Sequence, residues 1–282
     1  LQKKGIIAFT DGLKTIQNTR LMSRIMKSAH DLNSLILQHA EDLELSKKGM
    51  INDGIISTKL GLQGIPDLAE LIIIERDLTL LESIKCRYHI SQISSKKSVE
   101  IVNERKQKVK FTCGVSINNL SLNENDIGDF RTFLKLSPPL RTEEDRVSLI
   151  DGLNNKTIDV IVSDHKPEDE ESKRLTFSQA ATGASGIETL LPLALELFHN
   201  ESVKLFKIIK LLTSNPAKVL KTEKGNLTVG NDADFCIVDL YKPWVVKKEN
   251  MYSKSKNTCI EDKKLQGKVT NTFVKGEELF KI

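Results

Sequence analysis

Short apolar runs alternate along this chain with longer segments of helical period, and no other feature limits the possible folds so strongly. The runs at 6–9, 35–37, 88–93, 109–115 and 158–163 have the length of buried strands. Between them, the segment to Ala29 puts Leu21, Met22, Ile25 and Met26 on one helical face. Residues 68–81 set an apolar face against Glu and Arg, and Val99 to Val102 open a further helix. Residues 187–198 and 203–212 are the most clearly amphipathic segments. Such alternation predicts a parallel sheet with helices outside it. Most of the strands end on a polar or ionisable residue: Asp11, His39, Gln92, Asn118 and Asp164. In a (β/α)8 barrel the carboxyl ends of the strands form the active face, so the pattern fits an α/β chain carrying five consecutive units of a TIM barrel. Periodicity alone equally permits a doubly wound sheet.

After Pro216 the texture changes. Residues 225–230, 233–239, 267–269 and 272–276 are strand-like runs punctuated by glycine turns, which predicts a small antiparallel β unit beside the barrel. The expected division is 1–222 for the barrel and 223–282 for the β unit. Residues 247–256 read as a solvated loop, and 168–174 as a mobile loop over the barrel mouth.

Charge and composition remove several function classes. The net charge of +4 comes from lysines and acids mixed along the whole length, and aromatics make up only 5% of the chain. That leaves no basic, base-stacking platform for a nucleic acid. No run approaches the ~20 apolar residues of a membrane span. Cys86, Cys113, Cys236 and Cys259 are widely spaced and form no CxxC pair, which points to reduced thiols in a cytoplasmic protein. The opening Leu1-Gln2-Lys3-Lys4-Gly5 is neither an initiator methionine nor a signal peptide and leads straight into an apolar run. The expectation is a chain that begins inside its fold.

Four segments together resemble the dihydroorotase branch of the amidohydrolase superfamily. They are Gln38-His39-Ala40-Glu41-Asp42, the run Lys135-Leu-Ser137-Pro-Pro-Leu-Arg141, then Ser163-Asp164-His165-Lys166-Pro167, and the run from Gly186 to Pro192. Leu62 to Pro66 with Ala69-Glu70, Thr213 to Ala217, and Gly225 to Asp239 add to the likeness. The resemblance implies a (β/α)8 barrel, of which this chain holds about strands four to eight, with a β-sandwich built from both chain ends. It also implies reversible cyclisation of N-carbamoyl-aspartate to dihydroorotate. Opening an unactivated amide ring near neutral pH needs a strong nucleophile and a polarised carbonyl. Zinc supplies both, lowering the pKa of bound water to ~7 and acting as a Lewis acid.

By resemblance, His39 matches the fifth-strand zinc ligand. Asp164 matches the eighth-strand aspartate that touches the metal and moves the proton. Asp11 falls in the acidic fourth-strand segment, where it is either a ligand or the start of an Asp-Gly turn. Other positions depart from the family. Gln92 stands where the sixth-strand ligand histidine belongs, and an amide oxygen is a poor replacement for imidazole on zinc. His89, three residues earlier, should point to the opposite face of its strand. Asn118 and Asn119 replace a Pro-His-His segment, Ser137 replaces a substrate-binding asparagine, and Glu168 replaces a histidine that holds substrate carboxylates. A glutamate beside a dicarboxylate repels it, by roughly 4 kcal/mol at 4 Å and an effective dielectric of 20. Arg141 is either an anion ligand or a structural ion-pair partner. His30 and His199 read as surface residues. The expectation is therefore a catalytically impaired family member with zinc absent or sub-stoichiometric. By resemblance its partner would be aspartate carbamoyltransferase, and a homo-oligomer is also possible. An active enzyme with an atypical metal site and a barrel repurposed for ligand binding remain as alternatives.

Overall fold

In the computed structural model, residues 5–282 are described, and the opening residues 1–4 lie outside them. Several helices start where a side chain can satisfy the first exposed N–H groups. Asn18 accepts from Leu21 N at 2.9 Å to start α1 (Thr19–Asp31), whose buried face is Met22, Met26 and Ala29. Ser95 does the same for α4 (Lys96–Arg105), and a reciprocal Thr142/Asp145 box starts α6 (Glu143–Asn154). Between them α3 (Leu68–Ile84) buries Ala69, Ile73, Ile74, Leu78 and Leu81, and it ends at Lys85 in the left-handed conformation.

The strands β1 (Ala8–Phe9), β2 (Leu35–Gln38), β5 (Arg87–Ile90), β6 (Thr112–Ser116) and β7 (Val160–Val162) form one parallel sheet in that order. The register aligns Leu35 with Arg87, His89 with Thr112, and Gly114 with Val160. The short pair β3 (Ile51–Asn52) and β4 (Gly64–Ile65) sits in the excursion after β2, beside α2 (Ile55–Leu60). Sheet order follows chain order with no reversal, whereas a doubly wound sheet reverses at a switch point. The arrangement is that of consecutive TIM-barrel units. At Gly114 an added Cβ would lie 2.5 Å from Ser91 O, so only glycine lets the chain after β5 approach β6 this closely.

Several expectations differ from the structure. Residues 109–115 form a strand only from Thr112, and Ile117 onwards turns at once into α5 (Ile117–Ser121), capped by Ser116. Asn118 and Asn119 are therefore helical and not part of a strand end. Residues 225–230 form no strand, because Val229 and Leu227 project into solvent and Asn226 and Asn231 close a local turn. Residues 168–174 are not a loose loop but carry α7 (Glu170–Lys173). Lys173 is 1% exposed and donates to Ala181 O and Gly183 O, while Lys135 fastens the carbonyls of Phe177, Ser178 and Ala180.

The tail sheet has the order β10–β9–β8, with β8 (Phe235–Val245), β9 (Lys264–Val274) and β10 (Glu277–Lys281) all antiparallel. Lys275 and Gly276 both take positive φ, the tight turn that suits strand twist. Pro243 falls at a register break on the edge strand β8, where its missing N–H costs no ladder bond. The sheet lies on α8 (Leu190–His199) through Gly267, where an added Cβ would meet Leu195 at 2.4 Å, and Lys263 pairs with Glu196 at 2.8 Å. His199 is not a plain surface residue, since its ring packs between Phe198 and Tyr241. The 247–256 segment is likewise tied down, with Tyr252 N and Ser253 N bonded to the Glu188 carboxylate.

Arg141 lies at the centre of a buried polar network. It is 4% exposed and donates to Asn52 Oδ1, Ile65 O and Ser94 Oγ at 2.8, 2.6 and 3.2 Å. Ser94 in turn donates its N–H and hydroxyl to the buried Glu70 carboxylate, and Asn52 donates to Glu124. The candidate anion ligand is thus committed to structure. Replacing Arg141 by methionine leaves Glu70 and Asn52 without their counter-group, and stability should fall by about 3 kcal/mol. A lowered urea midpoint checks this; an unchanged midpoint would contradict the network's role.

Candidate functional site

The carboxyl ends of β2, β5, β6 and β7 converge, and the side chains that meet there are His39, Glu41, Gln92, Ser116, Ser137 and Asp164. His39 directly follows β2 and is 2% exposed; its backbone carbonyl accepts from Thr15 Oγ1 at 2.7 Å. Its Nε2 lies 3.0 Å from Glu41 Oε2 and 3.3 Å from Ser137 Oγ. The tautomer that satisfies Glu41 carries its proton on Nε2, leaving the buried Nδ1 without a partner. Burial works against the Glu41 charge, but hydrogen bonds from His39, Ser46 and Ser137 outweigh it and hold the carboxyl below its ordinary range.

Asp164 follows β7 in a left-handed conformation, φ 48°, that is strained for a residue with a side chain. The turn is held by His165, whose Nδ1 accepts from the N–H groups of Gly186 and Ile187 at 3.2 and 3.4 Å. Gly186 is required there, since a Cβ would lie 2.3 Å from Ser163 O. Gln92 Nε2 donates both to Asp164 Oδ1 and to Ser137 O, each at 3.3 Å, and Ser116 Oγ reaches Asp164 Oδ2 at 3.5 Å. Burial pushes the Asp164 carboxyl up to about 6 despite these donors.

Of the residues singled out in the sequence, His39, Gln92, Ser137 and Asp164 come together. Asp11 does not join this hydrogen-bonded cluster: it is exposed, and Lys14 N on Asp11 O and Gly12 N on Thr10 Oγ1 close the Asp-Gly turn. Glu168 lies 3.6 Å from Lys166 Nζ, which offsets its charge. Asn119 donates to Pro139 O, whereas the buried Asn118 Nδ2 has no partner. His89 is turned away from Gln92 towards Thr112 Oγ1, and burial with Lys106 nearby depresses it to about 4. Nothing in the sequence marks a role for Glu41 or Ser116 except their position, just beyond His39 and at the end of a strand.

Among the described residues, no group of three or more His, Cys, Asp or Glu side chains is arranged to hold a metal ion. His39, Glu41 and Asp164 are the ligand-type side chains at this rim; His39 and Glu41 bond to each other, and Asp164 accepts from Gln92. The residues present therefore do not make a zinc centre by themselves. What they make is a neutral-to-acidic hydrogen-bonded cluster with one carboxyl that titrates near pH 6.

A carboxyl pKa raised on folding means that the folded protein holds the proton more tightly than the unfolded chain. Stability then falls as pH rises from 3.8 to about 6, and the deficit is complete above that. Asp164→Asn should remove this dependence and raise stability at pH 7 by up to roughly 3 kcal/mol. Paired thermal melts at pH 4 and pH 7 check it, and a destabilised variant at pH 7 would mean that a bound cation holds the carboxylate ionised.

Comparison with known proteins agrees with this architecture. Residues 4–279 match the amidohydrolase family model. The chain is 42% identical to a dihydroorotase of Ehrlichia chaffeensis and 41% identical to one of Anaplasma phagocytophilum, in each case over 100% of this chain and 63% of the relative. It thus spans less than two thirds of the length of these relatives. The L-hydantoinase of Arthrobacter aurescens superposes with a TM-score of 0.83 at 25% identity, covering 98% of this chain and 63% of that one. The dihydropyrimidinase of Brevibacillus agri superposes with 0.86 at 20% identity over 99% and 64%, a likeness of fold alone. Among the described residues no helix is long and apolar enough to cross a membrane. The sheet order, the convergent strand ends and these matches agree that the chain belongs to the amidohydrolase family, as a dihydroorotase-like member.

Proposed function

We propose that this chain comes from a dihydroorotase-family protein of pyrimidine synthesis whose catalytic centre is impaired, and that it serves as a structural partner of aspartate carbamoyltransferase. The observation that carries the first half is the Gln92 amide, which spends its N–H2 group on Asp164 Oδ1 and Ser137 O. An imidazole in that place would offer a nitrogen lone pair to a divalent ion, whereas Gln92 offers only its unpartnered amide oxygen, a poorer ligand for zinc. His39 Nε2 is engaged with Glu41 and Asp164 with Gln92, which leaves His39 Nδ1 as the one free imidazole nitrogen of the cluster. Ring closure also requires a polarised carbonyl, and among the described residues no lysine or arginine hydrogen-bonds within this cluster. Asp164 alone can accept a proton near pH 6, which is a general base without an electrophile.

The proposed partner rests on the resemblance to non-catalytic dihydroorotase homologues, whose scaffold motifs are retained while the pocket is altered. A barrel that keeps its Arg141 network and its buried lysine fasteners offers a stable surface whether or not its centre turns over. The full-length protein should show no turnover of dihydroorotate under conditions where an active dihydroorotase does, and it should co-purify with aspartate carbamoyltransferase. Metal-dependent turnover would instead establish an active enzyme with an atypical site. A protein that stays uncomplexed when that transferase is present would remove the structural role.

A further inference from the structure

At the amino ends of the strands, away from the rim just described, a cavity of about 450 Å³ opens between the end of α6, the start of β7, α9 (Leu205–Leu212) and α10 (Ser214–Leu220). Lys156, Lys204, Lys207, Lys210 and Lys218 line it, and among the described residues none of the five has a carboxylate partner in an ion pair. The one carboxylate in the wall, Asp159, is already taken by Lys106 Nζ and Cys113 N at 2.7 and 2.8 Å. The cluster is crowded enough to be felt: burial, with Lys156 and Lys204 close by, holds the Lys207 ammonium below its ordinary range. Phe206 lies on the same wall, 69% exposed, with Lys210 Nζ 4.5 Å from its ring centre. Lys204 precedes α9 with no side chain capping the first turn, so the positive end of that helix adds to the same field.

Five ammonium groups around one concavity, of which Lys207 also donates to Asn154 O, make a positive field that attracts anions, and an exposed aromatic ring beside them adds a flat apolar surface. The volume lies within the range of small-ligand sites. We propose that this cavity binds a nucleoside polyphosphate, its phosphates held by the lysines and its base laid on Phe206. The site is separate from the barrel rim and does not depend on the reading of the chain's activity. Phosphate charge supplies the attraction, and the ring distinguishes a nucleotide from a bare anion.

The test is titration of the full-length protein with ATP, AMP and inorganic triphosphate in physiological salt, by calorimetry. The variants are Lys204→Ala/Lys210→Ala and Phe206→Ala, all exposed positions, with Gln92→Leu at the barrel rim as control. The expected result is saturable one-to-one binding of ATP that weakens at least about tenfold in the double lysine variant, a loss of about 1.4 kcal/mol. AMP should bind more weakly than ATP, Phe206→Ala should weaken ATP but not triphosphate, and Gln92→Leu should change nothing. Absence of saturable ATP binding, binding indifferent to the lysine substitutions, or tighter binding of an RNA oligonucleotide than of ATP would overturn the proposal.

Discussion

The geometry of the barrel rim depends on one buried positive charge. Arg141 brings a guanidinium into the interior and hands its protons to Asn52, Ile65 and Ser94, which belong to three separate segments. Ser94, two residues beyond Gln92, is held in turn by Glu70 at the start of α3. The segment that presents Gln92 is therefore clamped from both sides. A buried ionic network of this kind adds little net stability over an apolar equivalent, but breaking one member is costly. Its effect is to fix position, so that Gln92 points at Asp164 and His89, three residues back, faces Thr112.

With position fixed, the chemistry of the rim follows from which group each residue offers. A metal centre gathers lone pairs around a cation; this rim gathers donors around carboxylates. Glu41 accepts from His39 and Ser137, and Asp164 accepts from Gln92 and Ser116. The two carboxyls diverge because Glu41 has three side-chain donors and Asp164 has two. Glu41, with an imidazole as partner, is held acidic, while burial lifts Asp164 to about 6. The lysines Lys135 and Lys173 then anchor the chain that follows Asp164, through the carbonyls of Ala180 and Gly183.

Much of this was legible in the residues. Strand ends are readable because buried parallel strands are short apolar runs, and the opposite facing of His89 and Gln92 follows from the two-residue repeat of a strand. Sheet order was not readable from periodicity, which is blind to neighbours. The helix α6 escaped notice because its buried residues are few, Leu149, Ile150 and Leu153, although the Thr142–Asp145 capping box announced its start. Arg141 and Lys173 carry charges that composition places on the surface; only the carbonyls and side chains gathered around them explain their burial. Glu41 was inconspicuous since its role depends on Ser137, which is distant in sequence and near in space.

The central claim is that this rim is a hydrogen-bonded cluster and not a metal centre. Zinc content of the purified full-length protein, measured by elemental analysis after dialysis without chelator, tests it most directly. The account predicts well under one zinc per chain, unchanged in a His39→Ala variant. Stoichiometric zinc that is lost on replacing His39 or Asp164 would contradict it.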